Sequence, residues 1–338
     1  MGGDDAPGAP VAGAVRAARE SGVPILLVGD RTAIEAELAR HGKIPPQLAT
    51  VHAGEIIGME ESPATALLRK RDSSIMVAMN LVKEGKACGL VSAGNSGAVT
   101  GAAVVRLGML PQVERPAIAT VFPAQGLAGV VVLDAGATVD CDASNLVDFA
   151  YLGVTYARSL LSVATPRVAL LSIGEEPTKG NAVVKKAHSL LAGSGLNFVG
   201  NIEGKDLSHG TADVVVCDGF VGNVLLKVTE GSVEMLWEML RESIRASLRS
   251  RIGAWLIRPA LRPVVRKLDY STYGGALLVG VHGIVVIAHG RSSPAAIANA
   301  LRVARNLAEH RVVEELTSSS ALLRTRPLEP TVADTGAG

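Results

Sequence analysis

The strongest constraint on this chain is a rhythm. Short apolar runs that stop at Gly or Asp alternate with longer amphipathic stretches. The runs are "PILLVG" (24–29), "ATVHA" (49–53), "ACGLVSAG" (87–94), "AIATVFP" (117–123), "GVVVLDAG" (129–136), "RVALLSIG" (167–174), "NFVGNI" (197–202) and "ADVVVCDG" (212–219). Several are apolar at every position, which a strand buried on both faces requires. Between many of them, residues 74–85, 97–108, 144–162 and 181–192 carry helical spacing. The pattern predicts an α/β fold, a mostly parallel sheet sandwiched by helices. Such sheets bind ligands beyond the carboxyl ends of their strands, so chemistry is expected in those loops. Residues 1–316 read as a single domain. The Ser-, Thr- and Pro-containing tail from Thr317 to Gly338 reads as disordered.

Composition excludes several classes. The net charge of +1 gives no nucleic-acid signal. Three cysteines, Cys88, Cys141 and Cys217, stand far apart with no CxxC pair. That argues against a disulfide framework or a thiolate metal site and fits a reducing cytosol. No apolar run is long enough to span a bilayer, and no signal peptide is evident. The expected location is cytoplasmic, with room for membrane contact from that side. There is no GxxxxGK[ST] loop, strict GxGxxG, GxSxG elbow or HExxH.

One region breaks the rhythm. From Val224 to Leu268 strand signals vanish, and Leu236, Leu240, Ile244, Leu248 and Ile252 recur every fourth residue. Arg241, Arg245 and Arg249 form a parallel basic stripe. Gly253 and Pro259 are expected to break the helix around "AWLI", giving a helical hairpin that projects from the α/β body. Residues 241–267 hold eight basic residues and one acid, with both tryptophans, Trp237 and Trp255, in or beside them. Trp, Leu and Ile on one face and Arg on the other suit an interfacial membrane helix. A dimer interface suits the apolar stripe equally. The reading adopted combines them: the stripe packs on a second copy, and Trp255, Leu256 and Ile257 touch lipid, with Arg245, Arg249, Arg251 and Arg258 facing anionic headgroups. An acidic carrier protein is the competing partner for those arginines.

Three strand-end loops carry candidate chemistry. In "SAGNSGA" (92–98), Gly94, Asn95, Ser96 and Gly97 precede a helix, where exposed N–H groups and the helix dipole favour an anion. In "GEEPTKGN" (174–181), Lys179 stands ready to meet an anion at the helix start near Gly180 and Asn181. In "DGFVGN" (218–223), Asp218 ends a strand, Gly219 and Gly222 keep the backbone accessible, and Asn223 offers an amide. Each loop alone reads equally as a capped helix start or a polar turn. Together they suggest a pocket for a phosphate-bearing ligand. The seven histidines are scattered; His289, in "AHGRSS", is a candidate pocket wall or proton handler.

At these loops the sequence resembles the bacterial phosphate acyltransferases of phospholipid synthesis. The resemblance rests on "MGGDDAP" (1–7), "SAGNSGA", "LDAGATVD" (133–140), "TPRVALLSIGEEPTKGN" (165–181), "ADVVVCDGFVGNVLLK" (212–227), "DYSTYGGALLVG" (269–280) and "AHG" (288–290), in the family's order over residues 1–315. It implies an isocitrate-dehydrogenase-like fold shared with phosphate acetyltransferases, a homodimer, and no metal or other cofactor. It also implies transfer of an acyl group from acyl-[acyl-carrier protein] to inorganic phosphate. The acyl phosphate would then pass to a membrane-bound glycerol-3-phosphate acyltransferase. In this reading Lys179 takes the charge role and Asn223 donates a hydrogen bond to the reacting group. Gly94, Asn95, Ser96 and Gly97 cradle phosphate. Gly180 and Asn181 complete the pocket, and Asp218 orients its neighbours. Short acyl-coenzyme A as donor and a non-enzymatic membrane scaffold are the rival readings. The opening "MGGDDAP" reads as a turn from a strand into a helix. In the resembled family a strand leads into this turn, so one is expected before Met1, from a start called late or a true truncation.

Overall fold

The computed structural model describes residues 2–268 and 274–321, with the side chains of 263–268 left aside. The N-terminal part contains α1 (Gly8–Ser21), β1 (Ile25–Gly29), α2 (Arg31–Ala39), β2 (Leu48–His52), α3 (Pro63–Arg69), α4 (Ser74–Lys83), β3 (Gly89–Ser92) and α5 (Ser96–Arg106). The middle contains β4 (Ala117–Phe122), β5 (Val130–Leu133), α6 (Ala143–Leu161), β6 (Val168–Leu171), α7 (Ala182–Ala192), β7 (Phe198–Ile202) and β8 (Val214–Val216). The remainder contains α8 (Gly219–Arg245), α9 (Leu248–Leu268), β9 (Ala276–Val279), β10 (Ile284–Ile287), α10 (Pro294–Glu309) and α11 (Val312–Ala321). All eight expected strands form. β9 and β10 were not expected from the sequence.

Eight strands make the main sheet in the order β3-β10-β9-β4-β5-β8-β6-β7. Four of its pairings are parallel, and the three that involve β9 or join β4 to β5 are antiparallel. Consequently β3 and β10 run opposite to β5, β8, β6 and β7. The loops after β3 and β10 leave from one edge, and those after β5, β8 and β6 leave from the other. The strand-end loops singled out in the sequence therefore do not share an edge. The side-chain period of two is clean at the centre. Val131 and Leu133 pack with α6, including Phe149, Leu152 and Tyr156. Val130 and Val132 face the opposite layer with Val215 and Ala169. On the other half, the small residues Ala98, Ala102 and Ala103 bring α5 close to Ile118, Val285 and Ile287.

β1 and β2 form a separate parallel pair. Among the described residues no strand pairs with the outer edge of β1 or of β3. Between them lies an apolar cavity of about 120 Å³ lined by Leu26, Val28, Leu90, Val91, Ala78 and Gly2, among others. No helix among the described residues is long and apolar enough to cross a membrane.

Two boundaries differ from the sequence reading. The break in the long helical region lies at Ala246–Ser247, not at Gly253 or Pro259. There Ser247 Oγ accepts the backbone N–H of Ser250 at 3.0 Å and caps α9. Gly253 and Pro259 are carried inside α9. The expected tail start at Thr317 is also too early. α11 continues to Ala321, with Leu316 and Ser320 buried and Ser319 bonded to Thr155 at 2.9 Å. Residues 322–338 lie outside the described part.

Candidate active site

The β5–α6 loop is built around one carboxylate. Asp134 is fully buried and accepts hydrogen bonds from the backbone N–H groups of Ile118 (2.8 Å), Gly136 (2.9 Å), Ala137 (2.9 and 3.0 Å) and Thr138 (2.6 Å). Burial holds its carboxyl above the ordinary carboxylate range, and the N–H bonds from Ala137, Ile118, Thr138 and Gly136 oppose that rise. Every one of these partners is a donor, so the ionised form is the one the loop closes around.

α8 starts against this loop. Asp218 caps it by accepting Val221 N–H at 2.8 Å, and the N–H of Gly219 donates to Thr138 O at 2.9 Å. A Cβ at Gly219 would stand 2.6 Å from Thr138 O, and one at Gly222 only 1.8 Å from Asp134 O. Glycine at these two positions lets the helix backbone approach the loop closely. That approach sets Asn223 beside Gly136, where a Cβ would meet the Asn223 side chain at 3.4–3.5 Å.

From there α8 crosses the face of the sheet over β4. Beneath it lies a cavity of about 270 Å³. Its walls are largely apolar: Ile118, Val121 and Phe122 from β4, Ile287 from β10, and Leu226 and Val233 from α8. Ser96, Asn223, Lys227, Glu230 and His289 line the same space. α8 thus joins the two edges of the sheet, carrying Asn223 and Lys227 from the β8 edge toward His289 at the β10 edge. Lys227 Nζ donates to Glu230 Oε2 at 2.8 Å and lies 3.0 Å from His289 Nε2. Burial, then the Lys227 cation, lowers the His289 pKa; Arg291 lowers it further, while Glu230 and Asp4 oppose.

The structure brings Ser96, Asn223 and His289 together and leaves Lys179, Gly180 and Asn181 outside this cavity. Asn181 caps α7 through Val184 N–H at 2.9 Å, and a Cβ at Gly180 would strike Val184 at 2.6 Å. Lys179 is exposed and makes no ion pair among the described residues. Its loop follows β6, the neighbour of β8, so it leaves from the same edge as Asn223. Asn95 is committed within the protein. It caps α5 through Ala98 N–H (3.0 Å) and donates to Met59 O (3.0 Å) and Glu61 O (3.1 Å). Gly97 packs on Pro63, and Gly94 meets Gly2 of the N-terminal turn. That turn also reaches the β10 loop, through Asp4 N–H to Gly290 O at 2.9 Å.

Sequence reasoning passed over Asp134, Lys227 and Glu230 as individual residues. A signal existed for two of them: Asn223, Lys227 and Glu230 fall at i, i+4 and i+7, one helical face. Trp255, Leu256 and Ile257 are 71%, 65% and 52% exposed, so nothing among the described residues covers them. Arg245, Arg249, Arg251 and Arg258 are exposed beside them. Among the described residues no group of three or more His, Cys, Asp or Glu could hold a metal ion.

Known proteins agree with this architecture. The family described as "Fatty acid synthesis protein" matches residues 1–315. A phosphate acyltransferase of Heliobacterium modesticaldum is 50% identical over 90% of this chain and 91% of its own length. One from Myxococcus xanthus is 48% identical over 99% of this chain and 97% of its own. Among solved structures, a phosphotransacetylase from Streptococcus pyogenes superposes with TM-score 0.58 at 16% identity, covering 94% of this chain and 91% of its own. A branched-chain phosphotransacylase from Enterococcus faecalis gives 0.57 at 17% identity, covering 91% and 97%. These two share the fold. With nearly half its residues identical to those relatives along almost the whole chain, this protein belongs to the phosphate acyltransferase family and is an acyltransferase of fatty acid and phospholipid synthesis.

Proposed function

We propose that this enzyme transfers a fatty acyl group from acyl-[acyl-carrier protein] to inorganic phosphate, giving acyl phosphate and free carrier. The observation that carries the reading is the cavity beneath α8. It offers an apolar wall for an acyl chain beside Ser96 and Asn223, polar groups for the reacting carbonyl and phosphate, and Lys227 and His289 line the same space. Each methylene buried there contributes about 0.8 kcal/mol. A two-carbon acyl group would leave that wall unused.

The chemistry asks for little beyond placement. Phosphate is a competent nucleophile at neutral pH, and a pantetheine thiolate is a good leaving group. Holding the two reactants in register supplies on the order of 7–11 kcal/mol in the best cases. An aimed donor to the developing oxyanion supplies roughly 3–4 more. Asn223 is that donor. Lys179, outside the cavity on the adjacent strand-end loop with Gly180 and Asn181, is the cation assigned to the incoming phosphate, and Ser96 lines the cavity itself. No cofactor is required.

The exposed apolar tip Trp255–Ile257, flanked by arginines, supports a second element: a homodimer whose α8–α9 faces pack on each other and whose tip touches an anionic membrane. Acyl phosphate is labile. Release at a cytoplasmic membrane surface hands it directly to a membrane-bound glycerol-3-phosphate acyltransferase.

The test of the reaction mixes purified protein, inorganic phosphate and palmitoyl-carrier protein and follows acyl phosphate and free carrier thiol. Acyl phosphate is expected, with Lys179→Ala and Asn223→Ala both strongly impaired while folded. Turnover of acetyl-coenzyme A alone would refute the long-chain donor, and near-normal variants would remove these residues from their roles. Co-sedimentation with anionic vesicles tests the tip. Unchanged binding by a Trp255→Asp/Leu256→Asp variant sinks the membrane contact.

A further inference from the structure

We propose that Lys227 is the acid that protonates the departing sulfur, with Glu230 and His289 as the positioning residues that hold its ammonium at the cavity wall. This rests on the reaction proposed above. An ammonium has three N–H donors. In Lys227 one is spent on Glu230 Oε2 at 2.8 Å and one is directed at His289 Nε2 at 3.0 Å. The third has no partner among the described residues, and the residue lines the cavity. Glu230 is the better buried of the pair, its side chain 13% exposed against 48% for Lys227, so the carboxylate anchors the lysine rather than the reverse.

His289 is set to stay neutral. A neutral imidazole has a single acceptor nitrogen, and two donors compete for it, Lys227 Nζ and the backbone N–H of Arg291, which lies 3.1 Å from Nδ1. Protonating the ring would leave both facing a donor. The groups surrounding the ring are Lys227 and Glu230 from α8, Arg291 from its own loop and Asp4 from the N-terminal turn. The cluster therefore keeps one mobile proton, on Lys227.

Charge decides which substrate atom takes it. Lys227 and Glu230 together are neutral, a weak attractant for a phosphate dianion. What they present is one N–H uncommitted among the described residues, on a half-exposed side chain that borders the apolar wall, within reach of a sulfur that arrives with the acyl chain. The step balances. Hydrogen phosphate dianion attacks the thioester carbonyl; a C–O bond forms and the C–S bond breaks. Lys227 gives its proton to the sulfur as the C–S bond breaks, so the products are acyl hydrogen phosphate, the free thiol and the neutral lysine amine. The resulting amine takes the proton of the acyl hydrogen phosphate, a far stronger acid than an ammonium. Acyl phosphate dianion leaves and the ammonium is restored.

The test varies the leaving group. Either thiolate can depart unassisted, but proton donation speeds an alkyl thiolate of pKa near 8.5 far more than a nitro-substituted aryl thiolate. Wild type is compared with Lys227→Met and Lys227→Arg on palmitoyl-carrier protein and on a palmitoyl nitroaryl thioester, at saturating phosphate, with folding checked by thermal melting. General acid catalysis is worth about 100-fold or more. The expected result is a kcat loss of about that size in both variants on the carrier substrate, and a change within threefold on the aryl thioester. Arg keeps the charge but cannot release the proton, so it should not rescue. Equal losses on both donors, rescue by Lys227→Arg, or a raised KM for phosphate with kcat unchanged would each overturn the proposal. Wild type forming no acyl phosphate from either donor would refute the reaction itself, a distinguishable outcome.

Discussion

Replacing Asp134 with Asn is the sharpest test of how the site is held. The amide keeps one oxygen, which can still accept Ile118, Gly136 and Ala137 N–H in place of Oδ1. The other position becomes an NH2 group pointing at Thr138 N–H, now 2.6 Å from an acceptor. Two buried donors are then left facing each other, each costing about 1–3 kcal/mol. The three surviving bonds lose their charge assistance, roughly 1 kcal/mol apiece. Relief from burying a charge returns part of this, since burial is the largest influence on the carboxyl. A net loss of about 4 kcal/mol is expected. At roughly 2 °C per kcal/mol for a large domain, that is a melting-temperature drop of about 8 °C. Thermal and urea unfolding of wild type and Asp134→Asn measure it. Because Gly219 and Gly222 seat α8 on this loop, acyl transfer should fall as well, although Asn223 and Lys227 are untouched. A stability loss below 1 kcal/mol would show that the four N–H groups find other partners, and the account of the loop would be wrong.

The other predictions concern neighbouring atoms. Gly222→Ala places a methyl 1.8 Å from a backbone oxygen, so the first turn of α8 must shift; a loss of more than about 3 kcal/mol and poor soluble yield are expected. For His289, the folded pKa lies below the ordinary 6.5, so the unfolded chain binds the extra proton first. Stability from the neutral ring is complete above pH 6.5 and is lost as pH falls through the lowered value. Melting temperature from pH 7 to 5 should therefore fall more steeply for wild type than for His289→Gln. Alkylation with iodoacetamide at pH 8 should label exposed Cys88 and spare the others, because burial pushes the Cys141 thiol up to about 12 and holds buried Cys217 well above its usual range. Rapid labelling of Cys217 in the native protein would contradict its burial.

The apolar runs foretold eight strands because a strand buried on both faces leaves a local trace. β9 and β10 left none that could be read. The stretch from Gly274 to Gly290 is nearly continuous apolar sequence punctuated by Gly280 and Gly283, and only pairing with β4 and β3 divides it into two strands. Those pairings also fix the antiparallel centre. That centre sends the β3 and β8 loops to opposite edges and makes α8, rather than a shared edge, the element that assembles the site. Caps were legible for the same local reason as strands: Asn95, Asn181 and Asp218 each bond an N–H three residues on. Asp134 was not, because its partner Ile118 lies 16 residues upstream and the loop must fold back over its own carboxylate before the role exists. The same division applies to α8. Its helical face was visible at Asn223, Lys227 and Glu230, but the sequence could not say what that face would meet. Only the arrival of His289 from β10, 62 residues after Lys227, turns a lysine on a helix into a held proton donor.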